Sequence, residues 1–159
     1  MGFRKSYFVG GCALALAVLA GQAASAAIPP ECNRIALRTY DGHFLVAEGG
    51  GGREVAATRS WAGPWETFDV IRLAGNQFAL RANNGQYVAA EGGGGGVLNA
   101  NRNWIREWET LTAVDLGGRQ IAIRVYNGQF VAAEGGGGGA VNANRNSIRE
   151  WETFTVICM

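Results

Sequence analysis

Beyond its first few residues the chain has no lysine: Lys5 is the only one, and every later cation is an arginine. Histidine occurs once, at His43, and cysteine and proline three times each in 159 residues. Each scarcity removes a class of chemistry. A phosphate loop ends in Gly-Lys-Ser or Gly-Lys-Thr, so the glycine runs described below are not nucleotide cradles. Nucleic-acid binding rests on clustered cations, and the arginines here stand singly. A calcium-binding glycine-rich repeat sets Asp at fixed positions after its glycines, and none occurs. His43 has no counterpart histidine in the repeats described below, where Gln86 and Gln129 stand, and reads as a surface turn residue. We therefore expect no metal, no cofactor and no catalytic residue. No segment carries a helical period.

One long apolar stretch exists, and it lies at the start. A basic pair at Arg4 and Lys5 precedes an apolar run from Tyr7 to about Gly21, followed by the small-residue site Ala24-Ser25-Ala26. This grammar predicts a signal peptide over residues 1–26. The alternative, a permanent anchor, needs about 20 apolar residues, more than the run supplies. Cys12 precedes most of that run rather than following it, which argues against lipid attachment. Removing residues 1–26 leaves 12 arginines against 13 acidic residues, a net charge of −1. A secreted chain of about 133 residues is long enough for one domain with its own core.

Two cysteines remain, Cys32 and Cys158, one near each end of the exported chain. In an oxidising compartment they read most simply as a disulfide, with two free thiols as the alternative. The bond requires the first and last strands to be neighbours.

The sequence repeats with a period of 43: Glu48, Glu91 and Glu134; Arg59, Arg102 and Arg145; Trp65, Trp108 and Trp151. The repeats span 33–75, 76–118 and 119–159, after a short leader at 27–32. Each reads as four short strands. Segments such as Phe78-Ala79-Leu80-Arg81 run into Asp41-Gly42, Asn84-Gly85 or Asn127-Gly128, dipeptides suited to the positive φ values of a tight hairpin. A second strand, a glycine run, a third strand near Val55, Leu98 and Val141, and a fourth of the Thr67–Ile71 type complete the unit. Twelve strands in three equivalent units with joined ends predict an all-β fold, a β-trefoil closed around a pseudo-threefold axis. A small three-bladed propeller is the alternative.

The pattern from Leu37 to Glu48, closed by Trp65-Glu66-Thr67-Phe68 and copied twice more, resembles the repeat of fascin-like β-trefoils over essentially all of residues 33–159. That resemblance implies a trefoil and, through fascins, a possible actin-filament partner. Similar single secreted modules accompany carbohydrate-active enzymes, which makes sugar binding the nearer analogy. The glycine run is not expected of the actin-bundling members, and no fascin binding residue falls on the shared motif.

Function is read from triplication. A glycosidase needs two carboxylates with opposed roles, whereas each Glu here recurs in equivalent settings, which suits a non-catalytic, lectin-like binding protein. Trp61 and Trp104 lie in a polar loop and their third counterpart is Ser147, so they are expected to be exposed platforms for a glycan. Trp65, Trp108 and Trp151 keep strict register and are expected to fill the barrel floor. Glu48, Glu91 and Glu134 with Arg59, Arg102 and Arg145 either fix the loop as ion pairs or line three pockets. Glu66, Glu109 and Glu152 are expected to be structural. Asn99 with Asn101, and Asn142 with Asn144, project to one face of the third strand, where their amides suit sugar hydroxyls or the glycine loop itself. Ala56 and Thr58 replace them in the first repeat, so the first site is expected to differ. The glycine-run amides are read as turned toward a small acceptor. The expected partner is a glycan or polysaccharide, with a protein filament second, and the protein is expected to be a monomer.

Overall fold

A computed structural model describes residues 26–159. The expected signal peptide, apart from its last residue, lies outside them. The first repeat contributes β1 (Arg34–Arg38), β2 (Phe44–Ala47), β3 (Val55–Arg59) and β4 (Phe68–Arg72). The second contributes β5 (Gln77–Arg81), β6 (Tyr87–Ala90), β7 (Leu98–Arg102) and β8 (Leu111–Gly117). The third contributes β9 (Gln120–Arg124), β10 (Phe130–Ala133), β11 (Val141–Arg145) and β12 (Phe154–Cys158). Helix among the described residues is limited to short 3-10 turns after the second strand and before the fourth strand of each repeat.

Strands β1, β4, β5, β8, β9 and β12 pair in that cyclic order, β12 returning to β1, so the barrel has no open edge. The other six form three hairpins, β2–β3, β6–β7 and β10–β11, which cap one end. Single bridges Glu54–Asn99, Ala56–Ala140 and Val97–Asn142 tie the hairpins to one another around the axis. This is the β-trefoil that the repeat period predicts, and closure disposes of edges that would otherwise invite aggregation.

Burial alternates along the third and fourth strands of each repeat, while the first and second strands are buried on both faces through their middle. Ile35, Leu37, Phe68, Phe78, Leu80, Leu111, Ile121, Ile123 and Phe154 fill the barrel, while Leu45, Val88, Val131 and the third-strand residues Val55, Leu98 and Val141 fill the cap. Fully burying one such side chain stabilises the fold by roughly 1.5–3 kcal/mol. The two ends meet as expected: Cys32 and Cys158 form a disulfide with Cα atoms 5.2 Å apart. The leader is packed rather than loose. Ala27, Ile28 and Cys32 are buried, and the Arg72 guanidinium donates to the carbonyls of Ile28, Pro29 and Cys32.

The first hairpin turn of each repeat differs in detail from the sequence expectation. Only the glycine has positive φ, +98° at Gly42 and +92° at Gly85 and Gly128. Gly42 N–H donates to the Thr39 carbonyl and Thr39 N–H to the His43 carbonyl, at 3.1 and 2.7 Å. This is a type I turn followed by a glycine bulge, one residue longer than a two-residue hairpin.

Candidate functional site

The glycine runs lie at the junctions between repeats. Gly49, Gly50, Gly51 and Gly52 have φ of +73°, +83°, +134° and +86°, and the other two copies follow within a few degrees. Gly51 abuts the hairpin turn of the next repeat: a Cβ there would lie 2.1 Å from Asn84 Oδ1. Gly94 meets Asn127 Oδ1 at 2.2 Å, and Gly137 meets Asp41 Oδ1 at 1.9 Å. The backbones interlock at the same points. Asn84, Asn127 and Asp41 N–H donate to the carbonyls of Gly50, Gly93 and Gly136, and Gly52, Gly95 and Gly138 N–H donate to Ala100, Ala143 and Ala57 carbonyls. Those amides are thus taken by the neighbouring repeat, where the sequence reading turned them toward a ligand acceptor. The glycines let one repeat's backbone seat directly on the next.

At the turn itself the first repeat differs from the others. Asn84 and Asn127 pair with Gln86 and Gln129. Asp41 instead accepts hydrogen bonds from Thr39 Oγ1 and His43 N–H, and His43 Nδ1 lies 2.9 Å from Asp41 Oδ1. Burial pushes the Asp41 carboxyl up, but the His43 and Thr39 hydrogen bonds outweigh it and hold its pKa below the usual value.

Beside each glycine run, one arginine bridges two carboxylates. Arg59 donates to Glu48 at 2.9 Å, Arg102 to Glu91 at 2.6 Å and Arg145 to Glu134 at 2.5 Å. Their Nε atoms face Glu66, Glu109 and Glu152 at 3.6–3.7 Å. These last three glutamates are 4 % exposed and accept the N–H of Gly63, Arg106 and Arg149, closing the 3-10 turns Pro64–Glu66, Glu107–Glu109 and Glu150–Glu152. A buried carboxylate with an N–H donor and a cation in reach meets the requirement for a stable buried charge.

The asparagines complete this network. Asn99 Nδ2 donates to Glu91 at 2.8 Å and Asn142 Nδ2 to Glu134 at 3.0 Å, while Asn101 and Asn144 accept from Arg102 and Arg145. Thr58 accepts from Arg59 in the first repeat, where Ala56 leaves no amide to meet Glu48. For Glu91, burial raises the pKa, but the Asn99 and Arg102 hydrogen bonds prevail and hold it below the usual glutamate range. The structure thus joins Glu and Arg into one polar truss per repeat, completed by two asparagines in the second and third repeats and by Thr58 in the first, with the Arg side chains left about one-third exposed.

The tryptophans divide differently from expectation. Trp65, Trp108 and Trp151 do not fill the barrel floor; they are 41 %, 39 % and 41 % exposed. The floor belongs to Phe68, Leu111 and Phe154, and each Trp ring instead covers the glycine run of its own repeat, against Gly50, Gly93 and Gly136. Arg102 and Arg145 guanidinium carbons stand 5.8 Å from the Trp108 and Trp151 ring centroids, cation–π geometry. Trp61 and Trp104 are 67 % and 71 % exposed in the preceding loop. Trp61 lies across Gly63, whereas Arg106 occupies the equivalent position beside Trp104.

Trp104, Trp108, Arg102, Arg106 and Glu107 line a cavity of about 400 Å³. Arg145, Ser147, Arg149, Glu150 and Trp151 line its copy, also of about 400 Å³. Sequence reasoning passed over Tyr40 and Tyr126, which are equally exposed. Their second-repeat counterpart is Asn83, so the signal was a break in the threefold register. Among the described residues no group of three or more metal-ligating side chains occurs, and no helix is long and apolar enough to cross a membrane.

The model of a protein family described as "Domain of unknown function (DUF7910)" matches residues 34–89 and again residues 84–158. No curated protein matches the sequence. Among solved structures, the designed 3-fold symmetric protein ThreeFoil superposes with a TM-score of 0.72 at 16% identity, over 80% of this chain and 99% of its own. An exo-β-1,3-galactanase from Clostridium thermocellum superposes with a TM-score of 0.68 at 12% identity, over 82% of this chain. The chain spans 31% of that enzyme's length. At such identities the likeness shows the fold alone.

Proposed function

The chain belongs to the DUF7910 family, and we propose that it is an exported, non-catalytic carbohydrate-binding module whose sites are the tryptophan-lined notches before β8 and, in altered form, before β4 and β12. The observation that carries this reading is Trp104. Trp104, 71 % exposed, and Trp108, 39 % exposed, line one cavity together with the charged groups of Arg102, Arg106 and Glu107, the mix of aromatic wall and few polar groups that suits a ligand site. A sugar ring offers a flat C–H face to such a platform, and its hydroxyls offer partners to Arg102, Arg106 and Glu107 around the cavity. The Glu–Arg–Asn truss holds the notch rigid.

The same fold in a galactanase supports association with carbohydrate. The engagement of every truss glutamate in ion pairs or caps supports the non-catalytic part of the reading, and the Cys32–Cys158 disulfide supports export. Ser147 in place of a platform implies that the third notch is weaker. Several weak notches on one polymer would gain avidity without new contacts.

A glycan array followed by titration calorimetry tests the reading. Trp104→Ala should weaken the best ligand about fivefold, the equivalent of about 1 kcal/mol for one aromatic contact, with little change in melting temperature. Silence of the folded protein across broad glycan classes would overturn it. The resemblance to fascins supports a second reading, a filament-binding module using the same exposed rings; cosedimentation with F-actin separates the two.

A further inference from the structure

The three junctions of the barrel carry equivalent trios of residues, and one trio differs in charge. In β4, Asp69 pairs across the sheet with Arg34 of β1 and Arg81 of β5. It holds both arginines, at 3.3 and 2.9 Å. By register its counterparts are Thr112, opposite Gln77 and Arg124, and Thr155, opposite Gln120 and Arg38. With threonine in place of the carboxylate, neither Arg124 nor Arg38 has an ion-pair or hydrogen-bond partner among the described residues.

Both unpaired arginines line open clefts. Arg124, Gln77, Thr110, Thr112 and Tyr126 line one of about 560 Å³. Arg38, Gln120, Thr153, Thr155 and Tyr40 line one of about 530 Å³. Tyr126 and Tyr40 are 64 % and 68 % exposed. The junction that has the carboxylate has Asn83 there instead. Loss of the internal counter-ion and gain of an aromatic wall therefore coincide at the same two places. Rim carboxylates do not supply the missing charge: Glu107 shares its rim with a second cation, Arg106, and Asp41 is engaged by Thr39 and His43.

The Arg124 cleft also shares Arg106 and Glu107 with the Trp104 notch. The two cavities are neighbours across Arg106 and Glu107, with Trp104 lining one and Tyr126 and the unpaired Arg124 guanidinium lining the other. We propose that the Arg124 cleft, and more weakly the Arg38 cleft, binds a carboxylate-bearing sugar, a uronic acid unit of a chain whose neighbouring unit lies on Trp104. A guanidinium fork matches a carboxylate with two parallel hydrogen bonds. Tyr126 gives the sugar a flat face, and Gln77, Thr110 and Thr112 give its hydroxyls donors and acceptors. The inference rests on the carbohydrate reading above and adds the charge of the ligand.

The first junction supplies the test. Thr112→Asp installs beside Arg124 the carboxylate that already occupies Arg81, a solution this fold tolerates once. Calorimetry would compare oligomers of galacturonate, glucuronate and mannuronate with neutral oligomers of the same lengths. At least one uronate series should bind tenfold or more tighter than its neutral counterpart, should weaken with salt, and should lose that advantage in Thr112→Asp but not in Thr112→Ser. Thermal melts verify that both variants fold. Neutral oligomers bound as tightly as uronates, or uronate binding unchanged in Thr112→Asp, would overturn this inference and leave the carbohydrate reading standing. A sulfated galactan preferred over every uronate would overturn the choice of carboxylate. Absence of binding to any saccharide would overturn both.

Discussion

Replacing Gly94 by alanine tests the account of the glycine runs at its tightest point. The residue has φ +139° and ψ +173°, a region open almost only to glycine, which costs a side chain roughly 1–3 kcal/mol. The new Cβ would also lie 2.2 Å from Asn127 Oδ1, so the amide must move. Moving it breaks the 2.7 Å bond from Asn127 Nδ2 to Gln129 Oε1 and the 2.9 Å bond from Gln129 N–H to Asn127 Oδ1. These are exposed, so each contributes about 0.5 kcal/mol, the lower end for such bonds. Alanine stiffens the unfolded chain and returns about 0.4–1 kcal/mol. The net expectation is a loss of about 2–3 kcal/mol, or roughly 6–15 °C in melting temperature for a domain of this size. Gly92→Ala is the control: φ is +70° but nothing lies within 4 Å of its Cβ. Its left-handed strain, about 1–2 kcal/mol, is largely offset by the same unfolded-state gain. Urea unfolding of both variants reads the difference, and Asn127→Ala should make Gly94→Ala less costly by relieving the clash. Equal losses at Gly94 and Gly92 would refute the interlocking of repeats as the reason for the glycines.

Three other outcomes are expected. Replacing Cys32 and Cys158 by alanine opens a 126-residue loop and should lower stability by about 5 kcal/mol on the chain-entropy model, seen as a large drop in urea midpoint with an unchanged barrel by circular dichroism. An unmoved midpoint would mean the barrel ends hold without the bond. Glu109→Ala strands the Arg106 N–H and takes from Arg102 one of its two carboxylates, and should cost about 2–3 kcal/mol, whereas Glu109→Gln keeps an acceptor for the N–H and should cost less; the reverse order in thermal melts would contradict the capping role. Asp41 and Glu91 have folded pKa values below their ordinary ones, so the unfolded chain takes up protons first as pH falls. Their stabilisation should be complete above the usual carboxylate range, about pH 4–5, and fade below it. Glu91→Gln should flatten that acid limb of the urea midpoint, and an unchanged slope would count against the truss.

Periodicity made the fold legible. Equivalent residues recur every 43 positions, and a closed arrangement of three units is what brings Cys32 beside Cys158. Alternation within Val55–Ala57 or Phe68–Val70 separates core from surface because neighbouring side chains on a strand point to opposite faces, whereas small Ala36 and Ala79 are buried on the second face of their strands. The Glu48–Arg59 type of pair was visible as a recurrent spacing, and the exposure of Trp104 as a position where serine is tolerated. Trp65, Trp108 and Trp151 were misjudged because recurrence shows that a ring is required without showing what it covers. Here it covers glycines of the same repeat, at a distance that folding of the cap sets.

The sequence by itself determined the number of units, their strands and the apolar faces that close the barrel, since these follow from local periods and from the hydrophobicity of single residues. Tertiary structure alone decided what the glycines are for, because the atoms that forbid a side chain at Gly51, Gly94 and Gly137 belong to the next repeat. It also decided which arginines are neutralised. Asp69 lies a dozen residues from Arg81 and far from Arg34 along the chain, and only strand register sets all three side by side, while it sets Arg124 and Arg38 opposite Thr112 and Thr155.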